Sequence, residues 1–128
     1  IVMGRGTFDA VLQFPDWPYT LPVLVLSKSL NTIPTHLHGK VTLANLTPAE
    51  AMRHLATQGH RRAYIDGGQI IQSFLCDGLI QTLTITTAPV LIGQGRPLFG
   101  PLPQDIPLVH DRTTAFPSGL VQSTWRVA

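Results

Sequence analysis

Apolar positions along the chain come in short runs separated by glycine and proline, and the runs mark the elements. Ile1-Val2-Met3 reads as a strand end. Gly4-Arg5-Gly6-Thr7 then turns the chain into a short helix from Phe8 to about Gln13, with Thr7 as a plausible N-cap. After a proline-punctuated loop over 14–19, Leu21 to Leu26 is a continuous apolar run suited to a strand buried on both faces, with Pro22 near its start. Residues 27–39 read as loop, and Val41 to Ala44 as a short strand. Thr47-Pro48-Ala49-Glu50 is a capping box with proline at the first helical position, and Ala51, Met52, Leu55 and Ala56 give the helix an apolar stripe before Gly59 ends it. Ala63-Tyr64-Ile65 is a strand that breaks at Asp66-Gly67-Gly68 and reopens as a helix from about Gln69 to Leu75, ended by Asp77-Gly78. Leu83 to Thr86 alternates with period two, and Pro89 to Ile92 reads as a strand leading into the loop Gly93-Gln94-Gly95-Arg96-Pro97. Leu108 to Phe116 and Leu120 to Val127 form an antiparallel hairpin with Val121, Ser123, Trp125 and Val127 on one face. Alternating strands and helices followed by strands alone predict an α/β sheet with an antiparallel edge.

Composition narrows the picture. With 128 residues and 44% of them hydrophobic, the chain suits one domain with a substantial core. Nine Lys+Arg against seven Asp+Glu are scattered from Arg5 to Arg126, so no basic stripe tracks a nucleic acid backbone. No apolar run approaches the roughly 20 residues of a membrane span. The single cysteine, Cys76, excludes an internal disulfide and reads as a buried, inert thiol at the end of an apolar helix. The chain opens in mid-strand without an initiator Met, a basic region or a cleavage site, so residues upstream of Ile1 are expected and export is not signalled.

The two strand, glycine, helix units carry the strongest chemical signal. A helix N-terminus offers unpaired amide donors, and glycine lets a phosphate approach the backbone closely. The first unit adds the Arg5 fork and the Thr7 hydroxyl. Neither unit matches the dinucleotide fingerprint GxGxxG or the P-loop, which leaves Rossmann and NTPase assignments unsupported. His36 and His38 stand two apart but lack a third ligand nearby, and His54, His60 and His110 read as solvated or singly hydrogen-bonded, so no metal site is expected. Asp66, at the carboxyl end of a strand, lies where ligands bind in open α/β sheets. Bonding to local amides is an equally open reading.

The ordered segments Met3-Gly4-Arg5-Gly6-Thr7-Phe8, Leu24-Val25-Leu26-Ser27-Lys28, Tyr64-Ile65-Asp66-Gly67-Gly68-Gln69 and Ala88-Pro89-Val90-Leu91-Ile92-Gly93-Gln94-Gly95, with Leu98-Phe99, carry a resemblance over nearly the whole chain. Together they resemble the dihydrofolate-reductase-like family, in the branch similar to the C-terminal reductase domain of the bacterial riboflavin-biosynthesis deaminase-reductase. The resemblance implies a mixed, mainly parallel sheet with flanking helices and a C-terminal antiparallel hairpin. It implies a strand and helix before the segment matching Ile1, and an acidic pair where this chain has Gln81-Thr82. It also implies an NADPH-dependent reductase that transfers a hydride to a pyrimidine- or pterin-like ring, as in phosphoribosylaminouracil reductase or dihydrofolate reductase. A vestigial nucleotide-binding member of the same fold is the alternative. On this reading Gly4, Arg5, Gly6 and Thr7 meet the pyrophosphate and adenosine-phosphate side of the cofactor. Ser27 and Lys28 meet the ribose 2′-phosphate, and Gly67, Gly68, Gln69 and Ile70 hold the other phosphate, with Ile65 and Asp66 toward the substrate. A homodimer and a cytoplasmic location accompany the family resemblance.

Overall fold

The computed structural model describes residues 1–128. Its elements are β1 (Val2–Gly4), α1 (Arg5–Val11), β2 (Val23–Leu26), β3 (Val41–Ala44), α2 (Pro48–Thr57), β4 (Ile65–Asp66), α3 (Gly68–Cys76), β5 (Thr82–Thr87), β6 (Leu108–Ala115) and β7 (Val121–Val127), plus a single 3₁₀ turn at Thr35–Leu37. The first four strands pair in parallel in the order β3-β2-β1-β4. Register places Val2 between Leu24 and Ile65, and Met3 between Val25 and Asp66.

That register divides the core into two layers, because successive strand residues point to opposite faces. Met3, Val23, Val25 and Val41 pack with Phe8 of α1 and Leu37 of the 3₁₀ turn. Val2, Leu24 and Leu26 pack on the other face with Ala51 of α2 and Phe74 of α3. Every residue of β2 is buried, as expected of a parallel strand covered on both sides. Each such side chain removed from water contributes about 1.5–3 kcal/mol, so the helix layers are held mainly by Phe8 and Phe74. Thr47 caps α2 as its sequence requires: its side chain accepts from the Glu50 amide at 3.3 Å, and the Glu50 carboxylate accepts from the Thr47 amide at 2.8 Å.

The mixed α/β architecture agrees with the sequence reading, with four differences in detail. The antiparallel strands pair among themselves, in the order β5-β7-β6, rather than forming an edge of the parallel sheet. Helix α1 starts at Arg5, directly after the extended Gly4, so Gly4 is the N-cap and Thr7 lies inside the helix. Residues 89–92 form no strand despite their apolar pattern. Pro89 supplies no amide and no neighbouring strand is placed to pair with them, which leaves Val90, Leu91 and Ile92 exposed. Cys76, expected inside, is exposed, because α3 turns Phe74 and Leu75 inward and carries the next residue round to solvent.

Candidate functional site

The strand order reverses at β1. From β1 the chain crosses through α1 to β2 and on to β3, whereas α2 returns it on the opposite face to β4. A crevice therefore opens beyond the carboxyl ends of β1 and β4, which is the usual ligand position in open α/β sheets. Both glycine-rich turns of the sequence fall there, with the Ser27-Lys28 segment beyond β2 alongside.

The two turns interlock. Gly67 has a φ of +98°, and a Cβ on it would stand 2.5 Å from the Thr7 hydroxyl oxygen. A Cβ on Gly4 would stand 2.8 Å from Ile70 Cγ1. Glycine at these positions lets the β1–α1 and β4–α3 junctions touch backbone to side chain. Gly6 and Gly68 differ: a Cβ on either would meet nothing within 4 Å, so their backbone lies open to a ligand. Helix α3 begins at Gly67 with no side-chain cap, and its first-turn amides at Gly68, Gln69 and Ile70 lack intrahelical acceptors. Such a terminus with a positive dipole end suits an anion.

Arg5 ties this corner to the segment after β2. Its Nε donates to Asp9 Oδ2 at 3.3 Å and its Nη1 to Ser29 Oγ at 2.9 Å. Ser27 Oγ in turn accepts from the amides of Ser29 at 3.2 Å and Leu30 at 3.0 Å, which fixes the loop that carries Lys28. The remaining guanidinium donors stay available, since the side chain is about half exposed. A cleft of about 350 Å³ runs from here between the starts of α2 and α3, lined by Ser27, Lys28, Asn45, Thr47, Ile70 and Ser73. A second cavity, about 160 Å³, lies among His54, His60 and Arg62, beside Ile1 and Val23 at the amino ends of the strands and so at the opposite end of the sheet from the glycine turns.

The structure thus brings together Gly4, Arg5, Gly6, Thr7, Ser27, Lys28, Gly67, Gly68, Gln69 and Ile70. It separates the two residues assigned to substrate. Asp66 shares the face of Met3 and α1, whereas Ile65 shares the face of Val2 and packs into the core with α2 and α3. No amide of the glycine turn donates to the Asp66 carboxylate; the backbone amides bonded to side chains are those of Ser29, Leu30, Thr47 and Glu50. The Tyr19 phenol is raised above its ordinary value first by burial and then by the Asp66 charge, with Tyr64 adding to it. Sequence reading missed Tyr19, Asp9 and Ser29. Asp9 stands four residues after Arg5, a helical pairing visible only once the helix is known to begin at Arg5. No group of three or more His, Cys, Asp or Glu could hold a metal ion. His110 is bonded to Thr113 Oγ1 at 2.7 Å and packs edge-on against Trp125.

Comparison with known proteins agrees with this architecture. The RibD C-terminal domain family matches residues 1–122, and the chain belongs to that family. The uncharacterized protein YyaP of Bacillus subtilis (strain 168) is 29% identical over 132 residues, spanning 95% of this chain and 70% of that protein. The crystal structure of a candidate riboflavin biosynthesis protein from Shewanella sp. PV-4 has a TM-score of 0.94 at 38% identity, over 99% of this chain and 72% of that one. A pyrimidine reductase-like protein from Corynebacterium diphtheriae shares the fold, with a TM-score of 0.61 at 22% identity, over 89% of this chain and 53% of the other. Family membership supports a reductase-type function. No helix is long and apolar enough to cross a membrane.

Proposed function

We propose that this chain is an NADPH-dependent reductase domain, residues 1–128, that transfers a hydride to a pyrimidine- or pterin-like ring, acting in the cytoplasm as a homodimer. The observation that carries the reading is the meeting of two glycine turns and two cations, Arg5 and Lys28, at the strand-order reversal. NADPH supplies the hydride; the chain's part is to bind, orient and exclude water. Gly6 and Gly68 leave backbone bare where phosphate must approach, and the first-turn amides of α3 donate to it. Arg5, held by Asp9 and Ser29, and Lys28, on the loop fixed by Ser27, supply the positive charge that favours NADPH over NADH. Asp66, at the carboxyl end of β4 on the α1 side of the sheet, is the residue we assign to the ring substrate.

Titration of NADPH and NADH against the purified protein, followed by quenching of Trp17 and Trp125, tests this reading. Micromolar NADPH binding with much weaker NADH binding is expected. Arg5→Ala should weaken NADPH by about 1–3 kcal/mol, the range for a lost hydrogen bond to a charged group. Unchanged affinity in that variant would remove Arg5 from the site. NADPH binding without turnover of any pterin or aminouracil would favour a nucleotide-binding domain that has lost its chemistry.

A further inference from the structure

Cations that are scattered along the sequence gather at one end of the fold. Between Asp16 and Asp66 the one acidic residue is Glu50, which sits at the start of α2 and is engaged in the cap with Thr47. Over the same stretch Lys40 stands directly before β3, His54 lies in the last turn of α2 with Arg53 just ahead of it, and His60, Arg61 and Arg62 lead into β4. Because the strands are parallel and α2 runs back between β3 and β4, all of these fall at the amino ends of the strands.

The cavity of about 160 Å³ opens at this end. Its apolar wall includes Leu24 of β2, Leu55 of α2 and Ala63 ahead of β4, which belong to one packed layer. Its polar wall is formed by His54 and Gln58, one helical turn apart at the end of α2, together with His60 and Arg62. No Asp or Glu lines it. The side chains of His54, His60 and Arg62 have no partner within the protein. Arg5–Asp9 is the only salt bridge, and the one bond at His54 is accepted by its backbone carbonyl from the Thr57 hydroxyl. The Ile1 nitrogen, on the same wall, is engaged with the Pro22 carbonyl at 2.9 Å.

Such a wall offers N–H donors and positive charge, and the planar Arg62 fork matches a carboxylate. The opposite wall offers hydrocarbon, and an apolar cavity of about 150 Å³ is large enough for a benzene ring. A nucleotide is too large for it, since pockets for ligands of that size run to roughly 300–1,000 Å³. We infer that this cavity is a binding site for a small monocarboxylate with a compact hydrocarbon part, of the size of benzoate. The hydrocarbon lies on Leu24, Leu55 and Ala63, and Arg62, with His54 and His60, takes the carboxylate. The site lies at the other end of the sheet from the proposed cofactor crevice and does not depend on the reductase reading.

Titration of sodium benzoate into ¹⁵N-labelled protein, followed by amide NMR at fixed ionic strength, tests it. Shifts should saturate and concentrate on Leu24, His54, Leu55, Arg62 and Ala63. Arg62→Gln should weaken benzoate by about tenfold or more, the loss of a hydrogen bond between charged groups. Arg53→Gln removes the same charge from the same end of α2 but off the cavity wall, and should leave the affinity unchanged. Benzamide keeps the shape without the charge, and inorganic phosphate keeps the charge without the hydrocarbon; each should bind about tenfold more weakly or worse. Saturating NADPH should not alter the benzoate affinity. The site is overturned by the absence of saturable shifts at the cavity, or by benzamide or phosphate binding as tightly as benzoate. Unchanged affinity in Arg62→Gln, or equal losses in the two arginine variants, overturns it as well, the second by making the attraction a property of the basic surface. Displacement of benzoate by NADPH would move it to the cofactor crevice and overturn the assignment. Failure of NADPH to bind sinks the reductase reading alone, and the benzoate titration still decides this site.

Discussion

At Gly67 a single missing methyl group holds the candidate site together. The residue has a φ of +98°, which L side chains rarely adopt, and its absent Cβ would sit 2.5 Å from Thr7 Oγ1. Gly67→Ala should therefore lower stability by about 1–3 kcal/mol from the backbone conformation alone, measured by urea unfolding. It should also push Thr7 and the β1–α1 turn away from α3, so NADPH affinity should fall in variant protein that remains folded. Gly67→Val should block the cofactor outright. Gly6→Ala is the informative contrast, because nothing of the protein lies within 4 Å of its Cβ. It should leave stability within about 0.5 kcal/mol of wild type, as helical alanine is favourable, while obstructing a ligand on the bare backbone. If Gly67→Ala kept both stability and affinity, the interlocking of the two turns would have no functional weight. The glycine clusters were legible in the sequence as turns that could cradle phosphate. What each glycine does was not, because Gly67 meets Thr7 and Gly4 meets Ile70 only after sixty-odd residues of chain have folded back. Tyr19 escaped notice for the same reason: its sequence neighbours are prolines and Trp17, and the Asp66 charge that bears on its phenol comes from β4.

Helix α2 shows how far local rules reach. Thr47, Pro48 and Glu50 announce its start, and the structure realises the complete reciprocal cap, with the Glu50 carboxylate also accepting from the Thr47 hydroxyl at 2.9 Å. The Glu50 carboxyl is held below the ordinary glutamate range, first by the Thr47 backbone amide, then by the Thr47 hydroxyl. A carboxyl lowered in the folded state contributes stability above its unfolded value, and loses it as pH falls through the folded one. Thr47→Ala should cost about 1 kcal/mol near neutral pH. In Glu50→Gln the deficit relative to wild type should be present at neutral pH and vanish in acid once Glu50 is protonated, as read by thermal unfolding across pH 3–7. A deficit constant with pH would mean that the charge plays no part in the cap. The apolar run at 89–92 shows where local rules stop. A strand is defined by a partner, and the pattern of a chain does not say whether one is beside it; here Leu91 is fully exposed. Helix α1 gives the opposite lesson, since the glycines that suggested a loop over Gly4–Thr7 allowed the helix to begin three residues early.

At the level of the whole molecule, hydrophobic burial is uneven, and this predicts how the protein opens. Nearly all of the buried residues belong to the parallel sheet and its helices: β2 is buried along its length, and Val2, Met3, Phe8, Ala51 and Phe74 close on it from both faces. The antiparallel sheet contributes Thr124 alone to the buried set, and every residue of β6 is exposed. It is held by its ladders, by the Thr84–Thr124 and Thr113–Ser123 hydroxyl contacts at 3.3 and 2.9 Å, and by the packing of His110 on Trp125. Net hydrogen bonds contribute only about 0.5–1.5 kcal/mol each, whereas a buried large apolar side chain contributes about 1.5–3 kcal/mol. The two sheets share no strand pairing, so opening one does not require breaking a ladder of the other. Native-state hydrogen exchange should accordingly resolve two tiers. Amides of Met3, Leu24 and Val25 should exchange only through global unfolding, and those of β6 through a sub-global opening of lower free energy. NADPH should raise protection in the first tier, because every residue proposed to hold it lies in or beside the parallel sheet, by about 2.7 kcal/mol at a hundredfold excess over its dissociation constant. The second tier should respond to the cofactor only if the two sheets open together. A single exchange tier shared by β2 and β6 would overturn this division and make the molecule one cooperative unit.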